Sequence, residues 1–452
     1  MGSIKFQEFS MQEWEEVNGG GASISELNSL IYKQENMKRK ILFLLLITFF
    51  PLFSSGQNKK THSGTISCSK EYSFIMKDSP AVLSTMKQFN QNYLSLYRLS
   101  VNELNKTFSP KTSSLIQIGL SLFTIPLTHE EGHRSVLTVN NIGSVSNPFF
   151  NKNLAAYVKG VSDQTLIQLR DNNLPSYIRL HTAGLESDYS LLLSESSLLN
   201  WEKEDFEVLG IEFMMRKINL IAYYFTVAIN SDFKLKEEAD ELERDIVGHD
   251  IYGAIRHLHR PDMPFFRYTQ SKDLTHEELK FAKRVGWRSL LNLVDPLLFG
   301  KTGWVLKDGY RINASLGYGM SPFGDYIDEN TWLKGKHFNS HIHFRQHQNK
   351  NRWFPAMGIN TSDIHITGQL KSAFALHGWM QPEELSFNTS NSFFGGALDC
   401  KLQYKFLLRN PTRLSALSAD LGIIAKSKGF MAGEAKLDSH IGLYAGLSVF
   451  MK

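Results

Sequence analysis

The sequence predicts an α+β protein: a helical N-terminal domain carrying an H-E-x-x-H motif, followed by a C-terminal antiparallel β meander of barrel-like character. Three observations predict it. Apolar residues recur at helical spacing from about Pro80 to Gly300. Beyond Gly300 the pattern changes to alternation, with the boundary near Asp295-Pro296. Turn signals punctuate the alternating part, at Ser321-Pro322-Phe323-Gly324, Asn349 to Asn351 and Asn410-Pro411-Thr412. With 452 residues, 42% hydrophobic and 13 prolines, the chain has sequence for two cores, and a disordered or collagen-like protein is excluded.

Residues 1–36 show no apolar periodicity and read as an extension or an over-called start. In 37–56, Lys38-Arg39-Lys40, the apolar run Ile41 to Phe50 and the small residues Ser54-Ser55-Gly56 follow the order of a secretory signal peptide. A signal anchor is the rival, although the apolar run is short for a bilayer span. Export places the chain in the cell envelope, periplasm or outer membrane. Two cysteines, Cys68 and Cys400, exclude a disulfide scaffold and a Cys-based zinc ribbon, so a metal site must use His and carboxylates. The 49 basic and 45 acidic residues are spread along the chain, and no nucleic-acid partner is expected.

Residues 80–300 form the helical domain. Its apolar stretches, Leu115 to Thr128, Phe206 to Ile229 and Leu290 to Phe299, are short or interrupted by charge and read as buried helices. Ser162 is an N-cap, and Asn172-Asn173 with Pro175 closes the helix it opens.

Residues 301–452 form the β domain, roughly eight strands. Ile312, Ala314, Leu316, Tyr318 and Met320 oppose Arg311, Asn313, Ser315, Gly317 and Gly319; Leu398, Cys400, Leu402, Tyr404 and Phe406 oppose Asp399, Lys401, Gln403 and Lys405. His337, His341, His343, Arg345 and His347 share one parity, and a polar solvent or lumen face is preferred to a metal site because no carboxylate joins the row. An exported chain with such strands resembles an outer-membrane β-barrel; a soluble sandwich or closed barrel explains the same alternation.

The chemistry-bearing motif is Thr128-His129-Glu130-Glu131-Gly132-His133. Residues four apart on a helix share a face, so His129 and His133 can aim at one Zn²⁺ with Glu130 beside the remaining coordination position as general base. Pro126, Thr128 and Glu131 also form a capping-box pattern that would start the helix at the motif. The hydrophobic lead-in and the Gly before the second His resemble the HExGH of membrane-associated zinc metallopeptidases of the zincin superfamily.

The stretch Glu241-Leu242-Glu243-Arg244-Asp245 is similar to the E-x-x-x-D helix of the gluzincins. That resemblance implies Glu241 as the third zinc ligand and Asp245 as the carboxylate supporting a ligand His. On one helix, Glu241, Asp245, His249, Tyr252, Arg256 and His259 would fall within about 80° of each other. Glu186 is an alternative third ligand, as are Asp245, His249 and Asp250 acting directly. Tyr252, Arg256 and His257 are candidates to polarise a substrate carbonyl. Asn292-Leu293-Val294-Asp295-Pro296 bears a faint likeness to a site-2-type protease signature. The expectation is an exported, membrane-associated zinc metallopeptidase acting on a protein or peptide. The rival is a non-enzymatic envelope β protein in which the motif is incidental or structural.

Overall fold

A computed structural model describes residues 69–147, 156–232, 237–407 and 413–452. The signal-type segment 37–56, the extension 1–36 and Cys68 lie outside them. The protein is α+β, with seven α-helices and one ten-stranded antiparallel sheet among the described residues. The helices are α1 (Met86–Thr107), α2 (Pro110–Val139), α3 (Asp163–Asn172), α4 (Leu174–Asn200), α5 (Phe206–Ala228), α6 (Asp250–His259) and α7 (His276–Arg288).

Local chemistry sets several boundaries. Ser109 caps α2 through Thr112 N–H with Pro110 in its first turn, where a missing N–H costs nothing. Ser162 caps α3, and Asn173 ends it while opening α4 ahead of Pro175. Thr275 and Glu278 form a reciprocal capping box on α7.

The sheet runs β1-β12-β11-β10-β9-β8-β7-β6-β5-β4. Its members are β1 (Lys70–Ser79), β4 (Trp304–Val305), β5 (Arg311–Ser321), β6 (Gly324–Lys334), β7 (Asn339–Gln348), β8 (Trp353–His365), β9 (Leu370–Pro382), β10 (Ser392–Leu407), β11 (Leu414–Lys426) and β12 (His440–Met451). The short β2 (Val145–Asn147) and β3 (Tyr157–Lys159) pair separately. Nine strands, rather than about eight, follow Gly300, and a tenth comes from the N-terminal side. The sheet is not closed: β1 and β4 are its edges. Side chains of α1 occupy the free edge of β1, where Asn92 accepts from Ile75 N–H at 2.7 Å and donates to the Ile75 carbonyl at 2.9 Å. Gln91 and Ser95 donate to the Ser73 carbonyl. An unpaired edge is thereby covered.

The described residues form one compact unit, so the pattern change at Gly300 does not divide the described structure into two bodies. One apolar cluster joins Tyr93 and Val101 of α1, Leu185 and Leu192 of α4, Phe213 and Leu220 of α5, Ile251 and Ile255 of α6, Val285 of α7, and Tyr318 and Met320 of β5. A polar cavity of about 1070 Å³ lies between α1, α4 and the inner face of β7–β12. The imidazole-rich row of β7 faces this side. His341, Arg345 and His347 are buried, and Arg345 makes two 2.6 Å bonds to Asp328, which also accepts from Tyr189 of α4 at 2.9 Å. The row is a polar inner face braced to the helices.

Candidate metal centre

His129 and His133 lie well inside α2, which begins nineteen residues before the first of them, at Pro110. The capping-box expectation at Thr128 does not hold. Thr128 Oγ1 instead accepts from Arg216 at 2.8 Å, and Glu131 pairs with Arg134 and accepts from Ser146 at 2.7 Å. Within an unbroken helix the two imidazoles stand one turn apart, with ring centroids 5.0 Å apart.

Asp250 joins them. It is the first residue of α6, and its Oδ2 is 3.0 Å from His129 Nε2 and 3.5 Å from His133 Nε2. The three groups are buried and offer one ligand atom each within 4.8 Å of one another. Ligand atoms about 2.0–2.1 Å from a tetrahedral metal ion stand about 3.3 Å apart, and the two distances from Asp250 bracket that value. The far side of each imidazole is also fixed. His129 Nδ1 bonds Asp188 at 2.8 Å, and His133 Nδ1 bonds the Leu180 carbonyl at 2.6 Å, both on α4. When each Nδ1 donates its proton outward, to Asp188 and to the Leu180 carbonyl, both Nε2 atoms are left facing Asp250 as the ligand atoms.

Electrostatics favours a cation at this point. Burial opposes charge on His129, but its bonds to Asp188 and Asp250 outweigh burial and raise its pKa well above the ordinary value. His133 is raised, against burial, chiefly by Asp250. Asp250 is driven far below the carboxylate range although burial pushes it up. Behind Asp188 stands Arg216, fully buried, at 2.6 Å, which is also paired with Glu212; Glu212 accepts from Tyr93 at 2.7 Å. A buried ionic chain of this kind is costly to break, because removing one member strands the rest.

Glu130 is beside the cluster and outside the ligand set. Burial raises its pKa, partly offset by His133 and His129. Asp245 is pushed up to about 8 by burial and then by the Glu130 charge, so these two carboxyl groups share one region and resist joint ionisation. His129 and Glu130 each retain 9% exposure, against 1% for His133, so the centre meets solvent on the His129–Glu130 side. The ring of Tyr223 lies 5.8 Å from that of His129 and 5.7 Å from that of His249. A cavity of about 200 Å³ adjoins His249 and is lined by Tyr268, Phe266 and Asp232.

Glu241 is not brought to this centre. The segment expected as one helix from Glu241 to His259 breaks: Glu241–Glu243 is a single 3-10 turn, and Gly248, at φ +66°, separates it from α6. Glu241 instead accepts from the Asp163 N–H at the start of α3, where a carboxylate satisfies an orphan donor. Its proximity to the pair rested on a helical phase that the chain does not keep. Glu186 is also elsewhere, buried in an ion pair with Arg179, and Asp295 pairs with Lys217. Tyr252 donates to the Ser231 carbonyl, Arg256 to the Pro264 carbonyl, and His257 Nδ1 bonds the Gly253 carbonyl.

Asp250 had a sequence signal as an acid in the first turn of an amphipathic segment rich in His. Asp188 and Arg216 had none beyond lying in apolar helices. Two glycines complete the geometry. A Cβ on Gly132 would collide with the Ala183 carbonyl, and one on Gly184 with the His129 imidazole, so both residues let α2 and α4 approach at the motif. No protein-family model, curated protein or solved structure matches the chain.

Proposed function

We propose that this protein is an exported zinc metallopeptidase of the cell envelope that hydrolyses peptide bonds in a protein or peptide. The observation that carries this reading is the buried His129–His133–Asp250 set with an uncoordinated carboxylate, Glu130, next to it. His, His and Asp form a donor set suited to zinc, and three protein ligands leave a coordination position open, as catalytic rather than structural sites do. Zinc held there would supply a Lewis acid and lower the pKa of a water molecule.

The chain's own residues supply the rest. Asp188 and the Leu180 carbonyl lock the tautomers of His129 and His133. Glu130, lifted towards neutrality by burial, takes the proton of the attacking water and returns it to the leaving amine. Burial and then the Glu130 charge hold the Asp245 carboxyl up at about 8, which favours Glu130 as the ionised member of the pair. Tyr223, kept neutral by burial and by the Asp250 charge, is a candidate O–H donor to the substrate carbonyl.

The test is Glu130→Gln. It should retain zinc at wild-type stoichiometry and lose at least about 10²-fold in the rate of cleavage of a protein substrate at equal zinc occupancy. Equal rates would remove Glu130 from the mechanism. A wild type that stays metal-free after zinc addition would return the protein to the rival reading, an envelope protein worked by its sheet.

A further inference from the structure

The six strands β7 to β12 carry an outer face with an unusual composition. Register defines that face: Ile342, Ile359, Leu376, Leu398, Ala425 and Ile441 are paired neighbours in one row across all six strands. A parallel row holds Phe374, Cys400, Ile423 and Leu443. No position sharing this face within β7–β12 is Asp, Glu, Lys or Arg. Many of its large apolar side chains are exposed, including Leu421 at 65%, Ile441 at 70% and Phe394 at 82%.

The charges sit on the opposite face, where Lys401 pairs with Asp420, Lys87 with Asp399 and Lys371 with Asp363. The polarity is therefore the reverse of a soluble sheet, which hides its apolar row and shows its charges. An apolar patch of this breadth on an isolated protein marks a surface that is covered in use.

Three features identify what covers it. The first is electrostatic: the face is free of charge across six strands, roughly 24 Å at the usual strand spacing, far wider than a peptide or helix groove needs. The second is height. On β10 the outer row runs from Phe394 to Phe406, about 41 Å along the strand or about 29 Å at a tilt of 45°, close to the thickness of bilayer hydrocarbon. Aromatic residues stand towards both ends of the band, Trp353 and Phe394 at one, Tyr404 and Phe406 at the other, as at membrane interfaces. The third is the backbone. The strands are laddered to one another, and α1 side chains fill the β1 edge, which a low-dielectric surrounding requires. Among the described residues no helix is long and apolar enough to cross a membrane.

We propose that the outer face of β7–β12 packs against the acyl chains of a lipid bilayer, with the polar face turned inward onto α1 and α4. The proposal does not rest on the metal centre. Cys400 lies in the apolar band and provides the probe. The full chain with Cys68→Ser, labelled at Cys400 with an environment-sensitive fluorophore, should float with uncharged phosphatidylcholine vesicles in high salt. The label should be quenched by spin-labelled lipid and shielded from aqueous iodide. A chain that stays a lipid-free soluble monomer with an iodide-accessible label overturns the proposal, as does a soluble dimer that buries the label, or flotation with anionic vesicles only. Leu421→Asp, checked for unchanged circular dichroism in detergent, should lower vesicle partitioning at least tenfold; unchanged partitioning also overturns it.

Discussion

At the scale of single residues, the candidate metal centre depends on which carboxylate completes it. Asp250 touches both imidazoles, whereas Glu241 is spent on the N-terminus of α3. Asp250→Asn should therefore lower zinc affinity by several orders of magnitude, measured by chelator competition. Glu241→Gln should leave zinc affinity unchanged and cost stability of order 1 kcal/mol, the usual worth of an N-terminal carboxylate contact. The reverse pattern would restore Glu241 as the ligand.

A second residue sets a pH dependence. Burial, opposed by its bond to the Gly253 carbonyl, lowers His257 to about 4, and its ring stacks on His181 at 5.5 Å. In the unfolded chain a histidine titrates near 6.5. The unfolded state thus binds more protons between the two values, and the stability from a neutral His257 is complete above about pH 6.5 and is lost as pH falls towards 4. Urea unfolding at pH 7 and pH 4.5 should show roughly 2–3 kcal/mol less dependence in His257→Gln than in the wild type.

At the scale of elements, the site is a contact between α2, α4 and α6. Helix α2 supplies His129 and His133, α4 supplies Asp188 and the Leu180 carbonyl, and α6 presents Asp250 from its first turn. The close approach of α2 and α4 depends on Gly132 and Gly184. Gly184→Ala puts a methyl against the His129 ring, which is tied to Asp188 and cannot yield cheaply. Overpacking of this kind costs typically 1–3 kcal/mol. Thermal unfolding should register that loss, and zinc affinity should fall at least tenfold because His129 leaves its position. Wild-type affinity in the folded variant would show that the imidazole has room to move.

At the scale of the whole molecule, a metal held between α2 and α6 would couple distant segments, since His133 and Asp250 are separated by 117 residues (250 − 133). Ligand binding to the native state alone stabilises it by about 2.7 kcal/mol at a hundredfold excess over Kd. Removing zinc with a chelator should lower the thermal midpoint of the wild type by several degrees and leave that of His133→Ala unmoved. An equal shift in both would place the stabilising metal elsewhere. The sheet shares the apolar core with the helices, so this transition should report on both parts together.

The α+β class, the period-two rows and the H-E-x-x-H pair were legible in the sequence because they are local. A strand's two faces and a helix's one-turn spacing follow from backbone geometry alone. The caps at Ser162 and Asn173 were legible for the same reason. Tertiary structure decided what depends on distant chain. It recruited β1 from before the helices to pair with β12, it ran α2 straight through Thr128, and it left the sheet open with α1 along its edge. It also decided the third member of the candidate metal set. Gly248 breaks the helical phase that would have carried Glu241 inward, and the packing of α6 against α4 brings Asp250 to the two imidazoles. A spacing of four residues fixes two ligands of a site; the third comes from another element, and only the packing of the elements determines which carboxylate arrives.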